Sequence, residues 1–339
     1  DAKDLRNVAL LGHSGSGKTS LGEAALFITK ATTRLGTISD GNTVSDYEPE
    51  EVKRGGSIQT TLLSVVEGDA KINFLDTPGY DDFLGEVVSA LRVVEGAVIV
   101  VAAPTGVDVG TQKAWNMCES SQIPRMFVVN KMDRENAEFS KNVADIQASF
   151  GRQCIPFQVP LGNAQDFRGV ISIVDPPADI PAEIADEVAA ARERLIEAAA
   201  ESDDELADRY LSGEELSAEE VISGVRTAVL AGELVPILAR ASASRNAWRP
   251  PAPSCLLRWT VSRRNSLRAA TLRNTKPTPP ARLRHSSSRL LPTHSWESYP
   301  YSGSIKGRSR ATLRSGIATA NSPSASGSSI FPRVRTKRM

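Results

Sequence analysis

The chain has 339 residues, which is enough for one large domain or two ordinary ones. Its 40 basic and 40 acidic residues cancel overall, but residues 246–339 hold 18 basic residues and a single acidic one, Glu297. Residues 1–245 therefore keep 22 basic and 39 acidic residues, so the first part carries a formal charge near −17 and the second near +17. No apolar run approaches the roughly 20 residues that span a bilayer, so no membrane segment or membrane partner is expected. Three widely separated cysteines without metal or disulfide spacing predict a reduced, cytoplasmic protein.

Short apolar runs and helical patterns alternate along the first 130 residues. Strands are predicted at 7–11, 71–76, 97–103 and 125–130, and helices at 20–28, 85–95 and 111–121. Strands that are apolar on both faces are typical of parallel sheets. The alternation therefore predicts an α/β fold, with a mostly parallel sheet and helices on both faces.

Residues 156–236 predict a small α+β subdomain inserted into this fold. A strand is expected at 168–175, followed by a helix whose apolar stripe is Ile184, Val188, Ala191 and Leu195. A second helix begins at a capping box, Ser217 with Glu220, and ends near Gly232. The expected plan is a first domain at 1–155, the insert at 156–236, a return to the first domain at 237–245, and a tail at 246–339.

The tail has no sustained hydrophobic period. It holds 10 of the 20 prolines and 15 Arg against 3 Lys, a composition that predicts disorder. One interpretation is a basic arm that contacts RNA non-specifically. The interpretation that we favour is a GC-rich gene read out of frame, which also yields an Arg, Pro and Ser mixture with almost no acid.

The sequence GHSGSGKT at 12–19 matches G-x-x-x-x-G-K-[ST] between a strand and a helix. Such a loop wraps its amide groups and the helix N-terminus around phosphate oxygens, so a chance glycine-rich turn is the weaker interpretation. Lys18 is expected against the β- and γ-phosphates, and the Thr19 hydroxyl on Mg²⁺. The predicted phosphate-binding residues are Gly12, His13, Ser14, Gly15, Ser16, Gly17, Lys18, Thr19 and Ser20.

Two further motifs follow predicted strands. The sequence Asp76-Thr77-Pro78-Gly79 ends the second strand, where Asp76 would hold Mg²⁺ through water and the Gly79 amide would sense the γ-phosphate. Asn130-Lys131-Met132-Asp133 ends the fourth strand. The Asp133 carboxylate can accept hydrogen bonds from guanine N1–H and its amine, a donor pair that adenine lacks.

Together the three motifs resemble the G domain of translational GTPases, and of these elongation factor G and its paralogues most. Segments within the insert, VPLG, FRGVISIVD and AGELVPIL, resemble the insert that elongation factor G carries in its G domain. The resemblance covers about 1–239 and implies GTP or GDP with Mg²⁺, GTP hydrolysis, and the ribosome as the family's partner. The β-barrel and later domains of that family are not recognisable in this sequence.

The resemblance also assigns roles that no motif gives. The segment KRGGSI at 53–58 aligns with the family's switch I, which places Ser57 where a Thr usually binds Mg²⁺. A plain polar loop is the alternative. Ser242 and Ala243 fall near the last guanine-binding motif, although the Gly that usually precedes that pair is Ala241 here and Arg240 is unexpected.

Tyr80 departs from the family pattern, which usually has a His there to orient the attacking water; the paralogues often have Tyr. Because free Tyr has a pKa of about 10, Tyr80 cannot be a ready general base at neutral pH. Its hydroxyl can still orient water, and Lys18 and Gly79 complete the predicted catalytic set. A packing role without contact to water is the alternative.

The leading hypothesis is a Mg²⁺-dependent GTPase, slow without a partner, that lacks the domains needed for translocation. Two alternatives stay open. One is a non-catalytic nucleotide switch with an RNA-contacting tail, and the other is a non-functional truncated product.

Overall fold

The computed structural model of the protein describes residues 4–177, 179–214 and 216–241. The predicted pair Ser242 and Ala243 lies outside the described residues, as does the basic tail at 246–339.

Strands and helices alternate through most of the described residues. The strands are β1 (Leu5–Leu11), β2 (Thr61–Glu67), β3 (Ala70–Asp76), β4 (Gly96–Ala102), β5 (Arg125–Asn130), β6 (Cys154–Pro156), β7 (Gln158–Leu161), β8 (Gly169–Ser172) and β9 (Val235–Ala239). The helices are α1 (Lys18–Ile28), α2 (Pro49–Arg54), α3 (Leu84–Leu91), α4 (Val109–Ser120), α5 (Phe139–Phe150), α6 (Ala185–Ala200), α7 (Asp204–Leu211) and α8 (Ala218–Ala231).

The main sheet has the strand order β2-β3-β1-β4-β5-β9-β6. Every neighbouring pair in it is parallel except β2 with β3, which is antiparallel at the edge. The predicted α/β fold with a mostly parallel sheet is confirmed. Because parallel strands end at the same edge, the loops that leave β1, β3 and β5 meet there.

Apolar side chains fill both faces of the sheet. Trp115 of α4 stacks on Phe127 of β5 and Phe150 of α5, with ring centroids 5.7 and 4.7 Å away. On the opposite face, Leu10 and Val98 belong to a buried cluster that continues into α6 and α8. Helices α6 and α8 therefore share their core with the sheet.

The region between β6 and β9 contains the antiparallel pair β7–β8 and the helices α6 to α8. The predicted apolar stripe of α6 is buried, and α8 begins at the predicted capping box and ends at Gly232. The strand expected at 168–175 is shorter and ends at Ser172, after which the Arg192 guanidinium donates to the carbonyl oxygens of Ile173 and Val174.

Within the described residues, no helix has the length and apolar character needed to cross a membrane. Cys118 and Cys154 are buried and free. Burial raises the pKa of each thiol to about 12, so both act as small apolar core residues rather than reactive groups.

Candidate functional site

The loop at 12–19 joins β1 to α1 at the carboxyl edge of the sheet. The Lys18 ammonium lies across this loop and donates to the carbonyl oxygens of Gly12, at 3.0 Å, and His13, at 2.9 Å. His13 packs against Gly110 at the start of α4, where an added Cβ would come within 2.9 Å of its ring nitrogen Nδ1. His13 therefore has a structural position, and Ser20 continues into the first turn of α1.

Lys18 is the buried cation of the site. Desolvation lowers its pKa from 10.5 to about 8, and the nearby Asp76 carboxylate opposes that shift. At neutral pH the ammonium is still mostly charged. A desolvated cation beside backbone amides and a helix N-terminus is arranged to neutralise a phosphate anion.

Two side chains, one from the last residue of β5 and one from the residue after it, donate to the phosphate-binding loop. Asn130 Nδ2 donates to the Ser16 carbonyl oxygen at 3.0 Å, and Lys131 Nζ donates to the Gly15 carbonyl oxygen at 2.6 Å. Gly17, at φ 97°, permits this approach, because an added Cβ there would lie 2.3 Å from Asn130 Nδ2. Two of the three predicted motifs are thus in direct contact.

The end of β9 lies beside the same loop. The Arg240 amide donates to the Val129 carbonyl oxygen at 2.8 Å, and the Arg240 carbonyl oxygen accepts from the Met132 amide at 3.0 Å. Burial lowers the pKa of the Arg240 guanidinium to about 9. The half-buried Asp133 follows Met132 directly, so the predicted base-reading carboxylate stands next to the last described residues.

A second cluster surrounds the Thr19 hydroxyl at the start of α1. Thr19 Oγ1 donates to Asp76 Oδ2 at 2.7 Å and lies 3.3 Å from Ser57 Oγ. The three residues predicted to hold Mg²⁺ are therefore adjacent, although they come from three distant parts of the chain.

The structure adds two residues that the sequence did not indicate. Ser45 Oγ donates to Asp76 Oδ2 at 2.7 Å, and Ser57 Oγ donates to Asp46 Oδ1 at 2.6 Å. Both Ser45 and Asp46 are buried. No motif marks this pair, and a Ser-Asp dipeptide in a polar loop gives no signal by itself.

The residues of this cluster fit a magnesium ion. Asp46 Oδ2 and Asp76 Oδ1 are buried without a hydrogen-bond partner. Burial raises the pKa of Asp76 to about 6 and also raises that of Asp46, because buried carboxylates lack solvent. No group of three or more His, Cys, Asp or Glu side chains suited to a metal occurs in the described part of the chain. Mg²⁺ suits such a partial site, since it is usually held by one or two carboxylates together with phosphate oxygens and water.

Residues 43–60, the switch segment, are held over this cluster by buried carboxylates. Glu23 of α1 accepts from the Val44 amide at 2.5 Å. Glu51 accepts from the amides of Ile58, at 2.8 Å, and Gln59, at 3.1 Å. These bonds fix both ends of the segment that carries Asp46 and Ser57.

The loop after β3 completes the site. Thr77 Oγ1 donates to the Leu10 carbonyl oxygen at 2.7 Å, which anchors the turn through Pro78. An added Cβ on Gly79 would lie 2.5 Å from Lys18 Nζ and 2.6 Å from the Ser14 amide nitrogen. The Gly79 backbone therefore reaches the phosphate-binding loop, whereas the Tyr80 side chain is 38% exposed at the edge of the site.

Comparison with known proteins agrees with this geometry. The family model of the elongation factor Tu GTP binding domain matches residues 3–275, beyond residue 239 where the resemblance in the sequence ends. Elongation factor G from Thermotoga maritima and that from Thermotoga sp. strain RQ2 are each 34% identical over 264 residues, which cover 74% of this chain.

A solved structure gives the same result. The crystal structure of ttk003000868 from Thermus thermophilus superposes with a TM-score of 0.70 at 32% identity and covers 76% of this chain. The chain spans only 38% of the elongation factor G relatives and 40% of that solved chain. It belongs to the elongation factor Tu GTP-binding domain family, and its matched region is a translational GTPase G domain related to that of elongation factor G.

Proposed function

We propose that the chain binds GTP and GDP with Mg²⁺ and hydrolyses GTP. One observation carries this proposal: the loops after β1, β3 and β5 meet at one edge of the sheet and are joined by side-chain hydrogen bonds. A chance glycine-rich turn does not explain these bonds, which bring a phosphate-binding loop, a carboxylate and a polar Asn-Lys-x-Asp loop together.

Each group has a role in nucleotide binding. Lys18 and the loop amides neutralise the β- and γ-phosphates, and the Gly79 amide donates to a γ-phosphate oxygen. Asp133 selects guanine, and Ser242 and Ala243 are proposed to add a contact to the base. Thr19, Ser57 and Asp76 would hold Mg²⁺, with Ser45 and Asp46 orienting them. When bound, the ion neutralises charge that develops on the phosphates.

Tyr80 is proposed to orient the attacking water through its hydroxyl. Positioning and charge stabilisation provide most of the catalysis in phosphoryl transfer, so a group that removes no proton can still serve. We expect slow turnover by the chain alone, with acceleration depending on a partner. Kinship with elongation factor G suggests the ribosome as that partner and a cytoplasmic location, whereas translocation requires domains that the matched region does not include.

The deciding experiment measures GTP and ATP affinities for the wild type and for Asp133→Asn. The wild type should prefer GTP by at least about 100-fold, and the substitution should remove that preference by weakening GTP alone. Glu135→Gln, which neutralises an exposed acid two residues away, is the matched control and should leave both affinities unchanged. Equal affinity of the wild type for ATP and GTP would contradict the proposal.

The charge near +17 on residues 246–339 favours RNA as a second ligand. Such binding should weaken steeply as salt rises and should vanish when 246–339 is deleted, with GTP affinity retained. RNA affinity that is independent of salt, or that survives the deletion, would argue against this second function.

A further inference from the structure

Arg54, the last residue of α2, lies over two aromatic rings that follow the Gly79 turn. Its guanidinium carbon is 4.5 Å from the centroid of the Tyr80 ring and 5.3 Å from that of the Phe83 ring. Both distances are within the range of a cation–π interaction. The contact joins the switch segment to the loop after β3 and involves none of the residues that would hold Mg²⁺.

The position of Tyr80 rests on such ring contacts. Among the described residues, none forms a hydrogen bond with the Tyr80 hydroxyl. An added Cβ on Gly56 would lie 3.6 Å from Tyr80 Cε2, so the ring sits beside the turn that directly precedes Ser57. Arg54 and this turn therefore both contact the ring that carries the hydroxyl.

We propose that Arg54 is a positioning residue for GTP hydrolysis that acts by holding the Tyr80 ring against the switch segment. This inference rests on the proposed GTPase function and adds a residue to it. Arg54 fixes the ring, the ring directs the hydroxyl, and the hydroxyl orients the attacking water. The planar guanidinium stacks on an aromatic face better than an ammonium does, so lysine is only a partial substitute.

The same contact links hydrolysis to the state of the switch segment. Arg54 and Ser57 are three residues apart, on either side of the turn that contacts Tyr80. In this structure the switch segment places Ser57 beside Thr19 and Arg54 over the Tyr80 ring at the same time. We therefore expect placement of the hydroxyl and completion of the magnesium site to depend on the same position of the switch segment.

The test is a double-mutant cycle on the full chain, measured as single-turnover GTP hydrolysis. Arg54→Ala should lower the rate about two- to five-fold, in line with an exposed cation–π contact, while the affinity for a fluorescent GTP analogue stays unchanged. Arg54→Lys should retain part of the rate. In a Tyr80→Phe background, which keeps the ring and removes the hydroxyl, Arg54→Ala should have no further effect.

Lys53→Ala is the matched control, because it removes the neighbouring exposed positive charge from the same helix. It should leave the rate unchanged, whereas an equal loss there would show a general charge effect and overturn the proposal. An equal loss from Arg54→Ala with and without the Tyr80 hydroxyl would also overturn it. Hydrogen exchange over residues 77–84 gives a readout independent of turnover: faster exchange in Arg54→Ala supports the contact, and unchanged exchange contradicts it. Failure of the wild type to bind GTP would instead refute the proposed function.

Discussion

The phosphate-binding loop and the switch segment contact the same cluster but are held in different ways. The loop is held through its backbone, since Lys18, Asn130 and Lys131 all donate to its carbonyl oxygens. The switch segment is held by carboxylates that accept from its amides, those of Glu23 and Glu51. The phosphate-binding loop needs particular residues at fixed spacing, because its backbone carbonyl oxygens are the acceptors. A carboxylate that binds an amide of the switch segment can come from many positions in the chain.

This difference has a consequence for switching. A loop held through glycine conformation and backbone carbonyls depends on the space around its backbone, because an added side chain meets its neighbours. A segment held by buried carboxylates depends on their charge, because a charged acceptor forms a stronger hydrogen bond than a neutral one. Substitutions that add bulk should therefore disrupt the phosphate-binding loop, and substitutions that remove charge should loosen the switch segment.

The largest effect should come from Gly17→Ala. The new Cβ would lie 2.3 Å from Asn130 Nδ2 and would sit on a left-handed backbone. Strain and loss of the Asn130 bond together should cost about 3–4 kcal/mol, which lowers GTP affinity more than 100-fold. Calorimetric titration with GTP measures the loss.

Gly15→Ala is the matched control for this change. It also has a positive φ, 76°, but nothing lies within 4 Å of its added Cβ. It should carry only the backbone strain, about 1–2 kcal/mol. Equal affinity losses for the two variants would mean that the contact with Asn130 does not matter.

The next effect concerns Asp76 and pH. Its pKa is about 6 in the folded protein because of burial, against 3.8 for an exposed carboxyl. Without Mg²⁺ and nucleotide, the folded protein retains a proton that the unfolded chain releases near pH 4. The free energy of unfolding should therefore fall as pH rises from about 4 to 6, by about 2–3 kcal/mol relative to Asp76→Asn.

Urea unfolding of both proteins across this pH range tests the effect. The raised pKa of Asp46 also lowers the free energy of unfolding as pH rises, but Asp46 is present in both proteins. The difference in free energy of unfolding between the wild type and Asp76→Asn therefore reports on Asp76. Adding Mg²⁺ with GDP should flatten the difference, since a bound cation stabilises the ionised carboxylate. A difference that grows with pH would contradict the assignment.

A smaller effect is expected from Glu51→Gln in the switch segment. One carboxylate oxygen accepts from both Ile58 and Gln59, and loss of its charge weakens both bonds. Opening of the segment should become easier by about 1–2 kcal/mol, seen as roughly ten-fold faster hydrogen exchange at these two amides. Glu50→Gln, an exposed neighbour on α2, should leave exchange unchanged, and slowing by either variant would contradict the role of Glu51.

The fold and half of the site could be predicted from the sequence because they leave periodic or spaced patterns. The strands around the three motifs appeared as apolar runs, and each was found within two residues of its observed start. The motif residues at 12–19, 76–79 and 130–133 lie together as expected, because each follows a parallel strand. The predictions for Ser242 and Ala243 stay predictions.

The missed elements have identifiable causes. β2 has apolar residues on both faces, buried Leu63 beside exposed Leu62, which hides the alternation of an edge strand. α5 buries the polar side chain of Asn142, so its apolar stripe is incomplete. The helix expected to reach residue 95 ends at Leu91, and Glu95 beyond it accepts from the Asn7 amide at 2.8 Å.

The cluster around the Thr19 hydroxyl, the proposed magnesium site, was only partly predictable, because part of it comes from spaced motifs and part from the switch segment. Thr19 and Asp76 belong to spaced motifs, and Ser57 was placed by resemblance. Ser45 and Asp46 lie in the cluster because the switch segment folds over it, and the carboxylates of Glu23 and Glu51 hold the segment there. Glu23 is 21 residues from Val44, whose amide it binds, and Glu51 is 7 residues from Ile58. Neither spacing produces a periodic pattern that could be detected in the sequence.

The smallest expected change is that of Ser57→Thr, and its comparison with Ser57→Ala separates the hydroxyl of Ser57 from the shape of its side chain. Ser57→Ala removes the bond to Asp46, whose second oxygen already lacks a partner, and should weaken magnesium-dependent GDP binding by about 1–2 kcal/mol. Ser57→Thr keeps the hydroxyl and adds a methyl group at a buried position, so it should change binding by less than about 1 kcal/mol. GDP titrations with Mg²⁺ and with EDTA separate the two contributions. If Ser57→Ala weakened GDP binding equally in EDTA, the hydroxyl would stabilise the fold of the switch segment rather than bind the ion. The switch segment would then depend on its fold, as the phosphate-binding loop does, and sensitivity to charge would no longer distinguish the two regions.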